Sequence, residues 1–151
     1  MKIRILSDLH IEFGSWTPPP AEADVVILAG DIHVSTKGVD WARKHFPTGP
    51  IIYIAGNHEF YGQEMQKELD ALRRKSEELG IHFLDNDSIV IDGVRFLGMT
   101  LWTDFKFDGD SPADQIQAKR LALNGMNDYR MINFKERKFH PDDAQTLHEQ
   151  S

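Results

Sequence analysis

The feature that most limits the folds open to this chain is a pattern used three times: an apolar run that stops at a residue able to hold a cation or move a proton. In Ile51-Ile52-Tyr53-Ile54-Ala55-Gly56-Asn57-His58-Glu59 the run breaks at a glycine and delivers polar side chains in succession. Ile3-Arg4-Ile5-Leu6-Ser7-Asp8-Leu9-His10 and Asp24-Val25-Val26-Ile27-Leu28-Ala29-Gly30-Asp31 share the design. In open α/β sheets ligands bind at the carboxyl ends of parallel strands, so these endings predict one shared site made of Asp8, His10, Asp31, Asn57 and His58. Singly, each residue has a plainer reading: Asp8 as a helix cap, His10 as a loop histidine, Asn57 as a turn residue. The agreement of order, strand context and donor type favours the shared site.

The rest of the chain fits a sheet of this kind. Strands are expected over 2–7, 24–29, from Ile51, and over 81–84. The intervening helices are one ending at Phe46 before Pro47, and a longer one over 60–79 whose Met65, Leu69, Leu72 and Leu79 share a face and whose end Gly80 caps. Asp70 is placed to pair with Arg73 or Arg74. Ile89-Val90-Ile91, Asp92-Gly93 and Val94-Arg95-Phe96-Leu97 predict a hairpin, because Asp-Gly suits a tight primed turn, and this pair is expected to extend the sheet. The expected class is α/β, a mainly parallel sheet with flanking helices plus an antiparallel hairpin. Pro18-Pro19-Pro20 is a stiff loop, residues 104–113 read as a loop over the carboxyl edge, and 115–123 as a short helix. Asn127 to Arg130 are open between substrate contact and turn or cap roles. Beyond Asn124 apolar residues thin out, and 142–149 reads as a polar helix with nothing to dock it.

Asp8-x-His10, Gly30-Asp31 and Gly56-Asn57-His58-Glu59 together resemble the calcineurin-like metallophosphoesterase family. Gly98-Met99-Thr100-Leu101-Trp102-Thr103-Asp104 and Met126-Asn127-Asp128-Tyr129-Arg130-Met131-Ile132 are similar to bacterial members. The resemblance implies hydrolysis of phosphomonoesters or phosphodiesters by two divalent ions. Asp31 would bridge the ions, Asp8 and His10 would serve the first, and the Asn57 carbonyl the second. His58 would be a non-ligand that assists the transition state or the leaving oxygen. Mixed oxygen and nitrogen donors suit manganese, iron or zinc.

The family completes its ion pair with later histidines, including a Gly-His-x-His segment, which this sequence lacks. The second site is therefore expected to be incomplete, and residues 1–151 to form a single, truncated domain, the first half of the family's α/β-β/α sandwich. Its uncovered sheet face would invite self-association. A different class of function follows from the same gap: a metal-binding or interaction domain that keeps the fold without turnover. Glu59 reads as a structural acid of a first helical turn, His33 as a histidine at the site rim or in solvent, and His45, His82, His140 and His148 as structural or surface residues.

With 24 acidic against 17 basic residues the net charge is -7, which makes nucleic acid an unfavoured partner for a site that takes phosphoesters. There is no cysteine, so disulfides and thiolate zinc sites are excluded. Met1 leads straight into a strand and no apolar run approaches the ~20 residues of a membrane span, so a soluble, cytoplasmic protein with no membrane partner is expected.

Overall fold

A computed structural model describes residues 1–107, 109 and 111–151. The expected loop over 104–113 lies outside the described residues at Asp108 and Asp110.

Four parallel strands form the central sheet in the order β1 (Ile3–Leu6), β2 (Val25–Ala29), β3 (Ile51–Ile54), β4 (His82–Phe83). The run from Val25 has the β-branched, continuous apolar character of a strand covered on both faces, and Val25 and Leu28 are fully buried. Consecutive strands lie side by side with their carboxyl ends in register: Leu6 pairs with Leu28, and Ala29 with Ile54. The three predicted strand endings therefore emerge along one edge.

Helix α1 (Lys37–His45) buries Val39 and Ala42 and stops at Phe46, as the following proline requires. Helix α2 (Met65–Glu78) begins later than the sequence suggests. A single 3₁₀ turn, His58–Phe60, comes first, then Gly62 at φ 78° breaks the path, and the Glu64 carboxylate accepts from the Lys67 N–H to start the helix. Met65 and Leu72 are buried as expected. Arg73 pairs with Asp85 at 2.6 Å rather than with Asp70, whose carboxylate instead accepts from Gln66 at 3.5 Å. The Arg43 guanidinium donates to the carbonyls of Leu79 and Gly80, satisfying the end of α2.

The hairpin forms as predicted from β5 (Asp87–Ile91) and β6 (Val94–Gly98), with Asp92 and Gly93 both at positive φ. Among the described residues its strands pair only with each other, so it does not extend the sheet. Ile89, Ile91 and Phe96 instead pack against Val25, Ile52 and Leu84 on one face of the parallel sheet. Side-chain burial, not backbone pairing, places it there.

The carboxyl-terminal third is more tightly integrated than its composition suggests. Helices α3 (Pro112–Gly125) and α4 (Asp128–Met131) are followed by a second hairpin, β7 (Asn133–Phe134) with β8 (Arg137–Lys138), and by α5 (Pro141–Glu149). Apolar residues are few here, yet Tyr129, Ile132, Phe139 and Ala144 all enter the main core. Helix α5 is docked, contrary to expectation: His140 and Asp143 form a capping box at its start, and His148 Nδ1 lies 2.7 Å from the Trp102 carbonyl oxygen. Ile3 and Ile5 on β1, and Val90 and Leu97 on the first hairpin, remain exposed. No helix among the described residues is long and apolar enough to cross a membrane.

Candidate metal centre

The loops leaving β1, β2 and β3 interlock just past the strand ends. The Asp8 N–H donates to the Gly30 carbonyl (3.1 Å), His10 N–H to the Asp31 carbonyl (3.0 Å) and Ile11 N–H to the Ile32 carbonyl (3.0 Å). This backbone zipper holds Asp8 (φ 53°), His10 (φ 45°) and Asp31 (φ 55°) in the left-handed region, which side-chain-bearing residues seldom occupy. Such conformations cost of order 1–3 kcal/mol each and persist only where the surroundings enforce them.

A buried acid completes the clamp. Glu59, fully buried, accepts from the N–H groups of Asp31 (3.1 Å), Ile32 (3.0 Å) and Gly56 (2.8 Å) and from the Tyr53 hydroxyl (2.8 Å). Burial pushes its carboxyl up from the usual range, against the pull of the groups that donate to it. Glu59 is thus structural, as the sequence suggests, but by tying two loops together rather than by facing a helix dipole. Gly56 is required by close approach: a Cβ there would lie 2.1 Å from Asp31 Oδ1.

All five predicted residues fall in one region. Ligand atoms of Asp8, His10 and Asp31 lie within 4.8 Å of one another. His10 Nε2 faces Asp31 Oδ2 at 3.9 Å, a gap close to twice the roughly 2.0–2.1 Å of a nitrogen or oxygen bond to zinc. Asp31 Oδ1 accepts from the His58 N–H at 3.0 Å. Asp8, Asp31 and Asn57 line a cavity of about 430 Å³, together with Thr100, Trp102, Met126 and Asp128. The donor set and its spacing fit divalent cations with mixed oxygen and nitrogen ligands.

The His58 ring stacks on Tyr61 (centroids 4.2 Å apart) and meets the edge of His10, also at 4.2 Å. Its Nδ1 lies 2.7 Å from Glu12 Oε1, which is also 3.4 Å from His10 Nδ1. A carboxylate oxygen only accepts, so His58 Nδ1–H donates to it. Burial acts upward on the Glu12 carboxyl, but its bonds to His58 and His10 hold it below the ordinary value. Sequence reading missed Glu12. The available signal was alternation, since Asp8, His10 and Glu12 occupy every second position of one loop. Two further residues were left undecided or unmentioned: Asp128, 5% exposed, and Tyr61 both contact the Asn57 carboxamide.

Of the remaining histidines, His82 lies on β4, His140 caps α5, His148 contacts the Trp102 carbonyl and His45 Nδ1 lies 3.0 Å from the Trp41 carbonyl oxygen. His33 is half-buried, and burial holds its imidazole below the usual value.

Set against known families, residues 1–149 match the calcineurin-like phosphoesterase family, and the chain belongs to it. The family consists of hydrolases of phosphoester bonds. Among solved structures, a phosphopantetheinyl hydrolase from Mycobacterium tuberculosis is similar over 98% of this chain, with 20% identity and a TM-score of 0.68. That likeness establishes a common fold. The chain spans 59% of the length of that structure. No curated protein matches the sequence.

Proposed function

We propose that this chain carries the cation-binding strand ends of a metal-dependent phosphoester hydrolase acting on phosphomonoesters or phosphodiesters. The observation that carries the reading is the convergence of Asp8, His10 and Asp31 donor atoms within 4.8 Å at the carboxyl edge of the sheet. In this reading Asp31 would be the shared carboxylate, Asp8 and His10 would hold a first divalent ion, and the Asn57 carbonyl oxygen would serve a second. Bound manganese, iron or zinc would supply an activated water and neutralise charge on the phosphoryl oxygens. The protein's own part is orientation: Glu59 and the backbone zipper fix the carboxylates, and Glu12 holds Nδ1 of His58. When both ring nitrogens are protonated, His58 can pass its Nε2 proton to the departing ester oxygen while Nδ1–H stays on Glu12.

A second reading, a metal-binding domain without turnover, is favoured by the placement of His82, His140 and His148 away from this cluster. Manganese-dependent release of nitrophenol from nitrophenyl phosphate and from its bis-ester separates the two, with His58→Ala and Asp31→Asn as controls. Loss of activity in both variants is expected. Equal rates in wild type and variants would overturn the catalytic reading.

A further inference from the structure

We propose that Asp128 is a positioning residue that sets which end of the Asn57 carboxamide faces the cavity. The inference rests on the reading of Asn57 as a ligand. An asparagine side chain binds cations through oxygen only, yet a half-turn of its terminal amide exchanges oxygen for nitrogen with almost no change of shape. Something in the surroundings must decide between the two.

Here the decision falls to a buried acceptor 71 residues further along the chain. Asn57 Nδ2 lies 2.8 Å from Asp128 Oδ1 and 3.2 Å from the Tyr61 hydroxyl oxygen. The Tyr61 hydroxyl in turn donates to the same Asp128 oxygen at 2.6 Å. A phenol hydroxyl both donates and accepts, so Tyr61 is a donor toward the acid and an acceptor toward the amide. Both oxygens lie on one side of Nδ2, and together they hold the nitrogen end of the carboxamide toward Asp128. A carboxylate cannot donate, so the flipped amide would set its oxygen against Asp128 and leave two N–H groups aimed at the cation site.

The support behind Asp128 is rigid. Its helix α4 is seated by Tyr129 and Ile132, which are 5% and 0% exposed. The Gly62 N–H donates to the Met131 carbonyl and the Asn133 N–H to the Gln63 carbonyl, each at 2.9 Å, which locks α4 beside the loop carrying Tyr61. Through Asp128 the Asn127 to Arg130 segment meets Asn57, and Asp128 and Tyr129 also line the cavity itself.

The test is manganese titration by calorimetry on the whole chain, with thermal unfolding in chelator as the control for folding. Asp128→Ala is expected to weaken manganese binding about 10- to 100-fold, the usual effect of removing a group that orients a metal ligand. In an Asn57→Ala background the same substitution should change affinity little, because the group it acts through is gone. The exchange Asn57→Asp with Asp128→Asn reverses the donor while keeping an oxygen toward the cavity, and it should recover affinity that each single change loses. If Asp128→Ala fails to fold, this exchange pair still decides the matter. Recovery supports positioning, and no recovery overturns it. Additive losses of Asp128→Ala and Asn57→Ala, or unchanged affinity in Asp128→Ala, also overturn it. If Asn57→Ala alone leaves manganese binding unchanged, it is the ligand role of Asn57 that fails instead.

Discussion

Glu12 Oε1 stands 2.7 Å from Nδ1 of His58, although the two residues come from loops that follow different strands. The contact keeps a proton on Nδ1 and sets the tilt of the ring. Replacing Glu12 by Ala should lower manganese-dependent hydrolysis of nitrophenyl phosphate about 10- to 100-fold, with most of the loss in kcat. The melting temperature in chelator should move by only a few degrees. A rate equal to wild type would remove Glu12 from any part in the chemistry.

Gly56→Ala would push a methyl group into Asp31, where a Cβ falls 2.1 Å from Oδ1 and 2.6 Å from the backbone nitrogen. Backbone cannot yield as a flexible side chain can, so the Asp31 loop must shift. A loss of roughly 1–3 kcal/mol in urea unfolding is expected, together with weakened manganese binding. Full retention of both would show that the two loops are not in forced contact.

Glu59→Gln keeps the size of the side chain but turns one acceptor oxygen into a donor. One edge of the carboxylate takes the Asp31 and Gly56 N–H groups and the other takes the Ile32 N–H and the Tyr53 hydroxyl, so either orientation of the amide leaves buried donors facing each other. Destabilisation of about 3 kcal/mol or more is expected from urea titration, in keeping with the penalty for unpaired buried polar groups.

Docking of α5 should be acid-sensitive. The bond from Lys119 holds Asp142 below its ordinary value of 3.8. At Asp143 burial acts upward, but the bonds from Arg137 and from the His140 N–H outweigh it, so this acid too lies below 3.8. Carboxyls that are more acidic in the folded state add stability that is complete above about pH 4 and fades as pH falls through the folded values. Asp143→Ala should remove its share of that fading and cost about 1 kcal/mol for the lost cap. Hydrogen exchange of the α5 amides, followed from pH 6 to pH 3, reads both effects. An α5 protected equally in wild type and variant across that range would contradict the argument.

What could be foreseen from residues alone was whatever depends on local order. Strand endings at Asp8, Asp31 and Asn57 follow from apolar runs, and the Asp92-Gly93 turn follows from its own chemistry. The hairpin over 133–138 has no such cue: its turn is made by Lys135 and Glu136, both at positive φ and neither a usual turn residue. Glu12, and the partners of Glu59 and Asp128, escaped for another reason. Each acid has a partner from a distant part of the chain, and a carboxylate in sequence looks the same whether it meets water or a buried amide. The resting place of the first hairpin was misjudged likewise, because edge pairing and face packing share one alternating pattern.

Three residues of the proposed cation site, Asp8, His10 and Asp31, sit in the left-handed region that glycine adopts at least cost. Selection for heat resistance should therefore find gains at these positions early, and each gain would be bought with affinity for the ion. Hardiness and activity pull in opposite directions along the same few peptide units, so a thermally improved descendant that still works will have found its improvement elsewhere in the molecule.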